Sequence, residues 1–136
     1  MRTTMSILIC ILISLTLSGC KKNDNTANDS IVGNWELRAE INGQTGQKNS
    51  YAAGNGMVMK FTADGYQIYQ KGVLQREGTY TAGSYITKFT KEKVSRIRYD
   101  NDENPVNTYF TIAHNNILTI SIDANDAPAG IYERIQ

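Results

Sequence analysis

Hydrophobic and polar residues alternate with a period of two along most of the chain from Ile31 onward. In residues 31–41, one face carries Ile31, Gly33, Trp35, Leu37, Ala39 and Ile41, and the other carries Asn34, Glu36, Arg38 and Glu40. Such alternation is typical of a strand with one buried face, and no window carries the stripe of an amphipathic helix. The sequence therefore predicts an all-β protein.

Further segments of strand character follow at short intervals. They are residues 57–61, 66–70, 74–80, 85–89, 94–99, 106–113, 117–122 and 131–135. The predicted connections are a long polar loop over residues 42–55 and turns at Ala63-Asp64-Gly65, Lys71-Gly72, Ala82-Gly83 and Asn115-Asn116. About nine short strands joined as hairpins favour a meander, and closure into a barrel removes its exposed edges. We expect a small antiparallel up-and-down β-barrel of about eight strands. A two-sheet sandwich is the alternative, and the last strand either closes the barrel or packs outside it.

The start of the chain has a different composition. Met1-Arg2 precedes an apolar run over residues 5–17 that ends in Leu17-Ser18-Gly19-Cys20. This is the layout of a secretory signal, and the run is short for a transmembrane helix. Leu17-Ser18-Gly19-Cys20 resembles the lipobox of bacterial lipoproteins. The resemblance implies cleavage before Cys20 and lipid chains, including palmitate, on its thiol, whereas an ordinary signal peptide with an incidental cysteine is the alternative.

The predicted organisation follows from this anchor. Residues 1–19 form a lipoprotein signal peptide, residues 20–30 a lipidated cysteine and flexible polar linker, and residues 31–136 the barrel domain. Lys21 follows the cysteine where an aspartate would resemble an inner-membrane retention signal. The outer membrane is therefore the expected location, on its periplasmic side or at the cell surface.

Composition limits the possible functions of the domain. Cleavage leaves about 117 residues, enough for one domain. Cys10 leaves with the signal and Cys20 carries lipid, so no thiol is left for a disulfide or a metal. Without Arg2, basic and acidic residues are equal in number, which gives no global field toward nucleic acid. We expect a monomer.

Residues near both ends of the domain carry a family likeness. Gly33-Asn34-Trp35 and Tyr132-Glu133-Arg134, with Phe61-Thr62-Ala63-Asp64-Gly65 and Gly78-Thr79-Tyr80 between them, resemble the small lipocalin-like lipoproteins of Gram-negative bacteria. The resemblance implies that Trp35 closes one end of the barrel and that Arg134 lies across its ring, both with structural roles. It also implies binding of a small hydrophobic ligand, although the chain is shorter than the larger lipocalins and lacks their disulfides.

The predicted barrel interior is the first candidate site. Its candidate ligand-binding residues are Leu37, Met57, Met59, Phe61, Ile97, Tyr99, Phe110, Ile112, Leu118 and Ile120. Such an apolar lining suits a lipid-like or aromatic molecule. The same residues equally form an ordinary packed core.

A basic hairpin is the second candidate. Lys88, Lys91, Lys93, Arg96 and Arg98 are either a solvated outer face or a surface for anionic lipid or glycan.

Other polar motifs favour neither a metal site nor catalysis. Residues 100–104 and 123–126 carry oxygen ligands as calcium loops do, but each reads better as a polar turn. The single histidine, His114, precedes a turn, and the spacing of Asp64 and Glu77 does not predict a carboxylate pair. We therefore expect no cofactor and no catalytic residue.

Two functions stay open. The first is a membrane-anchored, lipocalin-like lipoprotein that binds a small hydrophobic ligand or an envelope lipid. The second is a non-catalytic accessory lipoprotein with a solid barrel, whose surface binds an envelope protein or a glycan. An enzyme is the third and least favoured possibility.

Overall fold

The computed structural model of the protein describes residues 30–103 and 106–136. The predicted signal peptide, Cys20 and nearly all of the predicted linker lie outside the described residues. The described strands are β1 (Gly33–Ile41), β2 (Lys48–Ser50), β3 (Val58–Phe61), β4 (Gly65–Gln70), β5 (Val73–Ile86), β6 (Lys93–Tyr99), β7 (Thr108–Ala113), β8 (Ile117–Ile122) and β9 (Ala129–Ile135).

Eight of these strands form a closed antiparallel barrel, as the alternation predicts. Around the barrel the order is β1, β3, β4, β5, β6, β7, β8 and β9, and β9 pairs with both β8 and β1. The last strand therefore closes the barrel. Closure gives each of these eight strands at least two partners, so the barrel strands leave no long edge to pair with another chain.

β1 changes direction at Arg38. Its register against β9 shifts between Leu37 and Ala39, where Leu37 pairs with Tyr132 and Ala39 with Ile131. One extra residue in one strand of a pair is a β-bulge, which bends that strand. The first half of β1 pairs with β3 and the end of β1 pairs with β2.

The β4–β5 and β7–β8 turns each have two consecutive residues with positive φ. The backbone twist of such a turn matches the right-handed twist of the flanking strands. Lys71 and Gly72 have φ values of 50° and 77°, and His114 and Asn115 have values of 53° and 61°. Positive φ at both central residues is the mark of a type I′ hairpin turn. The turn predicted at Lys71-Gly72 is confirmed, and the second lies one residue before the predicted Asn115-Asn116.

β5 differs from the prediction, because residues 74–80 and 85–89 were expected as two strands with a turn at Ala82-Gly83. The structure has one strand, Val73–Ile86, and Gly83 pairs with Arg96 inside it. Its first part pairs with β4 and its second part with β6. The turn comes later, closed by the Thr87 amide, which donates to the Glu92 carbonyl at 3.0 Å.

The predicted long loop contains a short strand. β2 (Lys48–Ser50) pairs with the end of β1 through Ala39, Glu40 and Ile41. All three residues of β2 are exposed polar residues, so the alternation of apolar side chains gave no sign of them. Of the nine described strands, β2 is the one that lies outside the eight-stranded barrel.

The core consists of inward-facing side chains from almost every barrel strand. Its buried members are Ile31, Trp35, Met59, Phe61, Tyr66, Tyr80, Ile97, Phe110 and Leu118. Trp35, Ile97 and Leu118 have no exposed surface. Phe61 and Tyr80 meet edge to face with 5.2 Å between ring centres. Aromatic pairs of this geometry add to the free energy of area burial.

Candidate functional site

Trp35, Gly33 and Arg134 form one assembly where β1 begins and β9 ends. The guanidinium of Arg134 lies 4.0 Å from the centre of the Trp35 ring. The indole Nε1 donates to the Ile31 carbonyl at 2.6 Å. Gly33 has φ of 144°, and a Cβ there would overlap the Arg134 guanidinium. Glycine is therefore needed at this position, both for its backbone and for close approach.

Arg134 also satisfies three backbone carbonyls. Its Nε donates to Asn115 at 2.8 Å, and its terminal nitrogens donate to Val32 at 2.8 Å and Ser30 at 3.1 Å. One planar cation thus joins the entry of β1 to the β7–β8 turn while it covers the tryptophan ring. These contacts link the first and last strands of the barrel to the turn between β7 and β8.

Most of the predicted ligand-binding residues are packed in the core. Leu37, Met59, Phe61, Ile97, Phe110 and Leu118 are buried. Met57, Tyr99, Ile112 and Ile120 are half-buried. The structure therefore divides the predicted set into a filled part and a part that keeps some accessible surface.

The half-buried interior group extends the predicted set by two residues. Ile68 and Tyr132 join Tyr99, Ile112 and Ile120 as partly buried side chains packed against the core. Burial raises the pKa of Tyr132 to about 12 and raises the pKa of Tyr99 as well. Both phenols are neutral at physiological pH, so this part of the interior is apolar with hydroxyl groups.

Asp100 ties the end of β6 to β4 and β5. Its carboxylate accepts hydrogen bonds from the Tyr66 hydroxyl at 2.7 Å, the Arg76 guanidinium at 2.6 Å and the Thr79 amide at 3.1 Å. These partners, Tyr66 first, hold the pKa of Asp100 below its usual range. A Cβ on Gly78 would overlap the same carboxylate. The first residue of the predicted polar turn over residues 100–104 is thus hydrogen-bonded to donors of the protein itself.

A groove of about 460 Å³ lies beside this cluster, over β3, β4 and β5. Its lining residues are Lys60, Thr62, Gly65, Tyr66, Gln67, Glu77 and Gly78. Several of its polar groups already have partners: Gln67 donates to Glu77 at 3.2 Å, and the Lys60 ammonium lies 4.8 Å from the centre of the Tyr69 ring. The groove is open to solvent and is lined by residues such as Lys60, Gln67 and Glu77, so it differs from an enclosed pocket for an apolar ligand.

Glu36 is a buried carboxylate that the sequence assigns only to the outer face of β1. It accepts hydrogen bonds from the amides of Gly54 at 3.0 Å and Gly56 at 3.3 Å, and it pairs with Arg38. Arg38 also donates to Glu133 at 2.8 Å. Burial would raise the pKa of Glu36, but these hydrogen bonds outweigh it and keep the pKa below its usual range. Glu36 therefore fixes the loop that follows β2 against the barrel.

The five predicted basic residues do not act as one group. Lys88, Lys91 and Lys93 are exposed, whereas Arg96 and Arg98 are half-buried. The Arg96 guanidinium lies 5.7 Å from the centre of the Tyr85 ring. The three lysines thus surround the β5–β6 turn, and the arginines belong to the wall of the barrel.

Asp123 holds that turn in place. Its carboxylate accepts hydrogen bonds from the Tyr85 hydroxyl at 2.7 Å and from the amides of Lys88 at 2.6 Å and Phe89 at 3.4 Å. The Lys88 and Tyr85 hydrogen bonds keep the pKa of Asp123 low against the opposing effect of burial. The second predicted polar turn, residues 123–126, therefore also begins with a carboxylate that accepts hydrogen bonds from the protein's own donors.

The acidic residues and His114 were also candidates for a metal site or for catalysis. Among residues 30–103 and 106–136, no group of three or more His, Cys, Asp or Glu side chains could hold a metal ion. His114 is exposed in the β7–β8 turn. In the same described part of the chain, no helix is long and apolar enough to cross a membrane.

Comparisons with protein-family models, with curated proteins and with solved structures find no match to this chain.

The sequence did not predict the hydrogen bonds of Glu36 and Asp123, because they accept from backbone amides far away in the chain. A glycine pair at Gly54 and Gly56, both with positive φ, was the available sign of a carboxylate-binding loop. Nothing in the spacing of Asp123 and Lys88 indicates their contact.

Proposed function

We propose that this chain is a non-catalytic lipoprotein of the cell envelope, in which a lipocalin-like barrel with a packed interior serves as a rigid scaffold for surface contacts. The observation that carries the proposal is the complete burial of Trp35, Ile97 and Leu118, which come from different strands and meet in one core. Protein cores are as densely packed as organic crystals. A ligand at this level of the barrel would have to displace core side chains.

Binding of a small hydrophobic ligand or envelope lipid is the second candidate function. It is favoured by the half-buried interior group, Ile68, Tyr99, Ile112, Ile120 and Tyr132. Apolar side chains with neutral hydroxyl groups suit an amphiphilic or aromatic molecule. Such a ligand would occupy only the less packed part of the interior.

Native mass spectrometry distinguishes the two functions. Residues 30–136, secreted to a bacterial periplasm and exposed to a bacterial lipid extract, should retain no small molecule if the interior is packed. A bound lipid-like mass would reverse the order of the two proposals. Ile120→Trp, which fills the less packed region, should abolish that adduct, whereas Thr111→Trp on an exposed position should keep it.

The membrane anchor is proposed from the Leu17-Ser18-Gly19-Cys20 motif. The full chain, expressed in a Gram-negative host fed with an alkyne-labelled palmitate, should carry the label and fractionate with the outer membrane. Cys20→Ser should lose the label, whereas Cys10→Ser should keep it. A labelled Cys20→Ser protein would contradict the anchor without affecting the barrel.

A further inference from the structure

The β5–β6 turn, with the strand ends beside it (residues 86–93), presents large apolar side chains to solvent. Ile86 is 64% exposed and Phe89 is 52% exposed, and the two residues are three positions apart. Single exposed apolar residues are normal on protein surfaces. Two of this size on one turn, with lysines on each side, call for a more specific explanation.

The charge around these side chains is positive. Lys88, Lys91 and Lys93 are exposed there, and they outnumber the two nearby carboxylates, Glu92 and the Asp123 side chain that accepts the Lys88 and Phe89 amides. Arg96 and Arg98 are held in the barrel wall and leave the turn to the lysines. Clustered lysines strengthen binding to an anionic lipid surface.

The turn is rigid before any partner is bound. The Thr87 amide donates to the Glu92 carbonyl, and the Thr87 hydroxyl, from a buried residue, accepts from the Glu92 amide at 3.0 Å. Asp123 binds the amides of Lys88 and Phe89 from outside the hairpin. The backbone of the turn therefore needs little further ordering on binding, which favours binding through its exposed side chains.

We infer that the β5–β6 turn is a membrane-contact element that inserts Ile86 and Phe89 into the interface of an anionic lipid bilayer while Lys88, Lys91 and Lys93 contact its headgroups. Apolar side chains flanked by lysines are the combination that peripheral membrane contacts use. The inference deepens the proposed surface role and does not require the lipid on Cys20. In a lipidated protein it would hold one side of the barrel against the membrane.

The test measures binding of residues 30–136, which lack the signal and the anchor. Their strands close on one another, and circular dichroism with thermal melting first checks that each variant is folded. Cosedimentation with vesicles of phosphatidylethanolamine and phosphatidylglycerol should detect binding that falls as salt is raised, because screening weakens the lysine contribution. Phosphatidylcholine vesicles should bind much less.

Two variants and a matched control separate the contributions. Ile86→Ser with Phe89→Ser should lower the partition coefficient by about tenfold or more. Lys88→Gln with Lys91→Gln and Lys93→Gln should remove the difference between anionic and neutral vesicles. Val73→Ser with Leu74→Ser, which changes residues 61% and 42% exposed on another turn, should leave binding unchanged.

Absence of vesicle binding by the wild type, or equal losses in the turn variant and the Val73/Leu74 control, would overturn the inference. Binding to purified envelope glycan with none to vesicles would also overturn it. In either case, the proposed surface role would still stand if native mass spectrometry showed a barrel without a bound ligand. Failure of the membrane-contact inference can therefore be distinguished from failure of the proposed function.

Discussion

Arg134 lies over the ring of Trp35, with its guanidinium 4.0 Å from the ring centre. One residue belongs to the first strand of the barrel and the other to the last. The same guanidinium binds three backbone carbonyls, so the cation both covers the core and joins three segments of chain.

Replacement of Arg134 should therefore be costly. Arg134→Ala removes a cation–π contact of about 0.5 to 2 kcal/mol and leaves carbonyls without their donor, so we expect a loss of about 2 to 3 kcal/mol in the free energy of unfolding. Arg134→Lys should recover part of it, because an ammonium cannot reach all three carbonyls. Urea denaturation measures the change, with Lys48→Ala in exposed β2 as the control. A loss for Arg134→Ala no larger than that of the control would contradict the structural role.

The packed interior predicts different costs for two paired residues. Leu118 and Ile112 are register partners on β8 and β7, but only Leu118 is fully buried. We expect Leu118→Ala to lower the free energy of unfolding by about 3 kcal/mol or more and Ile112→Ala by about half as much. Equal losses in chemical denaturation would mean that the two sites are equally well packed, against the division of the interior described above.

Glu36 predicts a dependence of stability on pH. Its pKa in the folded protein is below its ordinary value of 4.5, so its contribution is present above that value and is lost as the pH falls through the folded pKa. Wild type should be more stable than Glu36→Gln at pH near 7, and the difference should shrink on acidification below about 4.5.

Denaturation curves of both proteins over this range measure the effect. The comparison isolates Glu36, because the other carboxyl groups are the same in both proteins. A difference that stays constant down to acid pH would mean that the folded and unfolded states have the same pKa for Glu36.

Asp123 predicts local protection of the β5–β6 turn. Asp123→Ala removes the acceptor for the amides of Lys88 and Phe89, so both amides should exchange hydrogen faster while the core amides keep their rates. Tyr85→Phe, which removes only the hydroxyl donor to Asp123, should have a smaller effect. Hydrogen exchange followed by NMR gives these rates residue by residue. Unchanged exchange at Lys88 in Asp123→Ala would show that the turn is held by its own hydrogen bonds.

The barrel could be predicted from the sequence because apolar and polar residues alternate along most of its strands and several of its turns carry recognisable residues. Trp35, Leu37 and Ile97 are buried as the pattern requires, and the turn at Lys71-Gly72 is present. Alternation is a local property of the sequence. It predicts burial correctly where successive side chains of a strand point in turn to the solvent and to the core.

The prediction was wrong where partners in space decide the structure. Ala82-Gly83 lies within β5 because that strand changes its partner from β4 to β6, and pairing with β6 keeps Gly83 extended. The rule that glycine marks a turn considers only the local sequence and takes no account of pairing with another strand. β2 was missed for a similar reason, since only its pairing with β1 makes a strand of three polar residues.

The candidate site was less predictable than the fold. Periodicity indicates which side chains point inward, but it cannot indicate how densely they pack. Ile97 and Tyr99 have the same inward direction in the pattern, yet one is fully buried and the other half-buried. The hydrogen bonds of Asp123 depend on a contact between distant loops, which a single sequence does not encode in any local signal.

The pairing of β9 with β1 brings the two termini of the barrel side by side, with Asn34 opposite Ile135. A short peptide that joins the end of β9 to Ser30 could therefore be introduced without loss of a strand pair, and the chain could be reopened in the β7–β8 turn. Any tag or domain fused after Gln136 would emerge next to the point where the N-terminal segment leaves the barrel. A reporter placed there would sense the environment of that segment, and one placed in the β5–β6 turn would sense that of the exposed lysines.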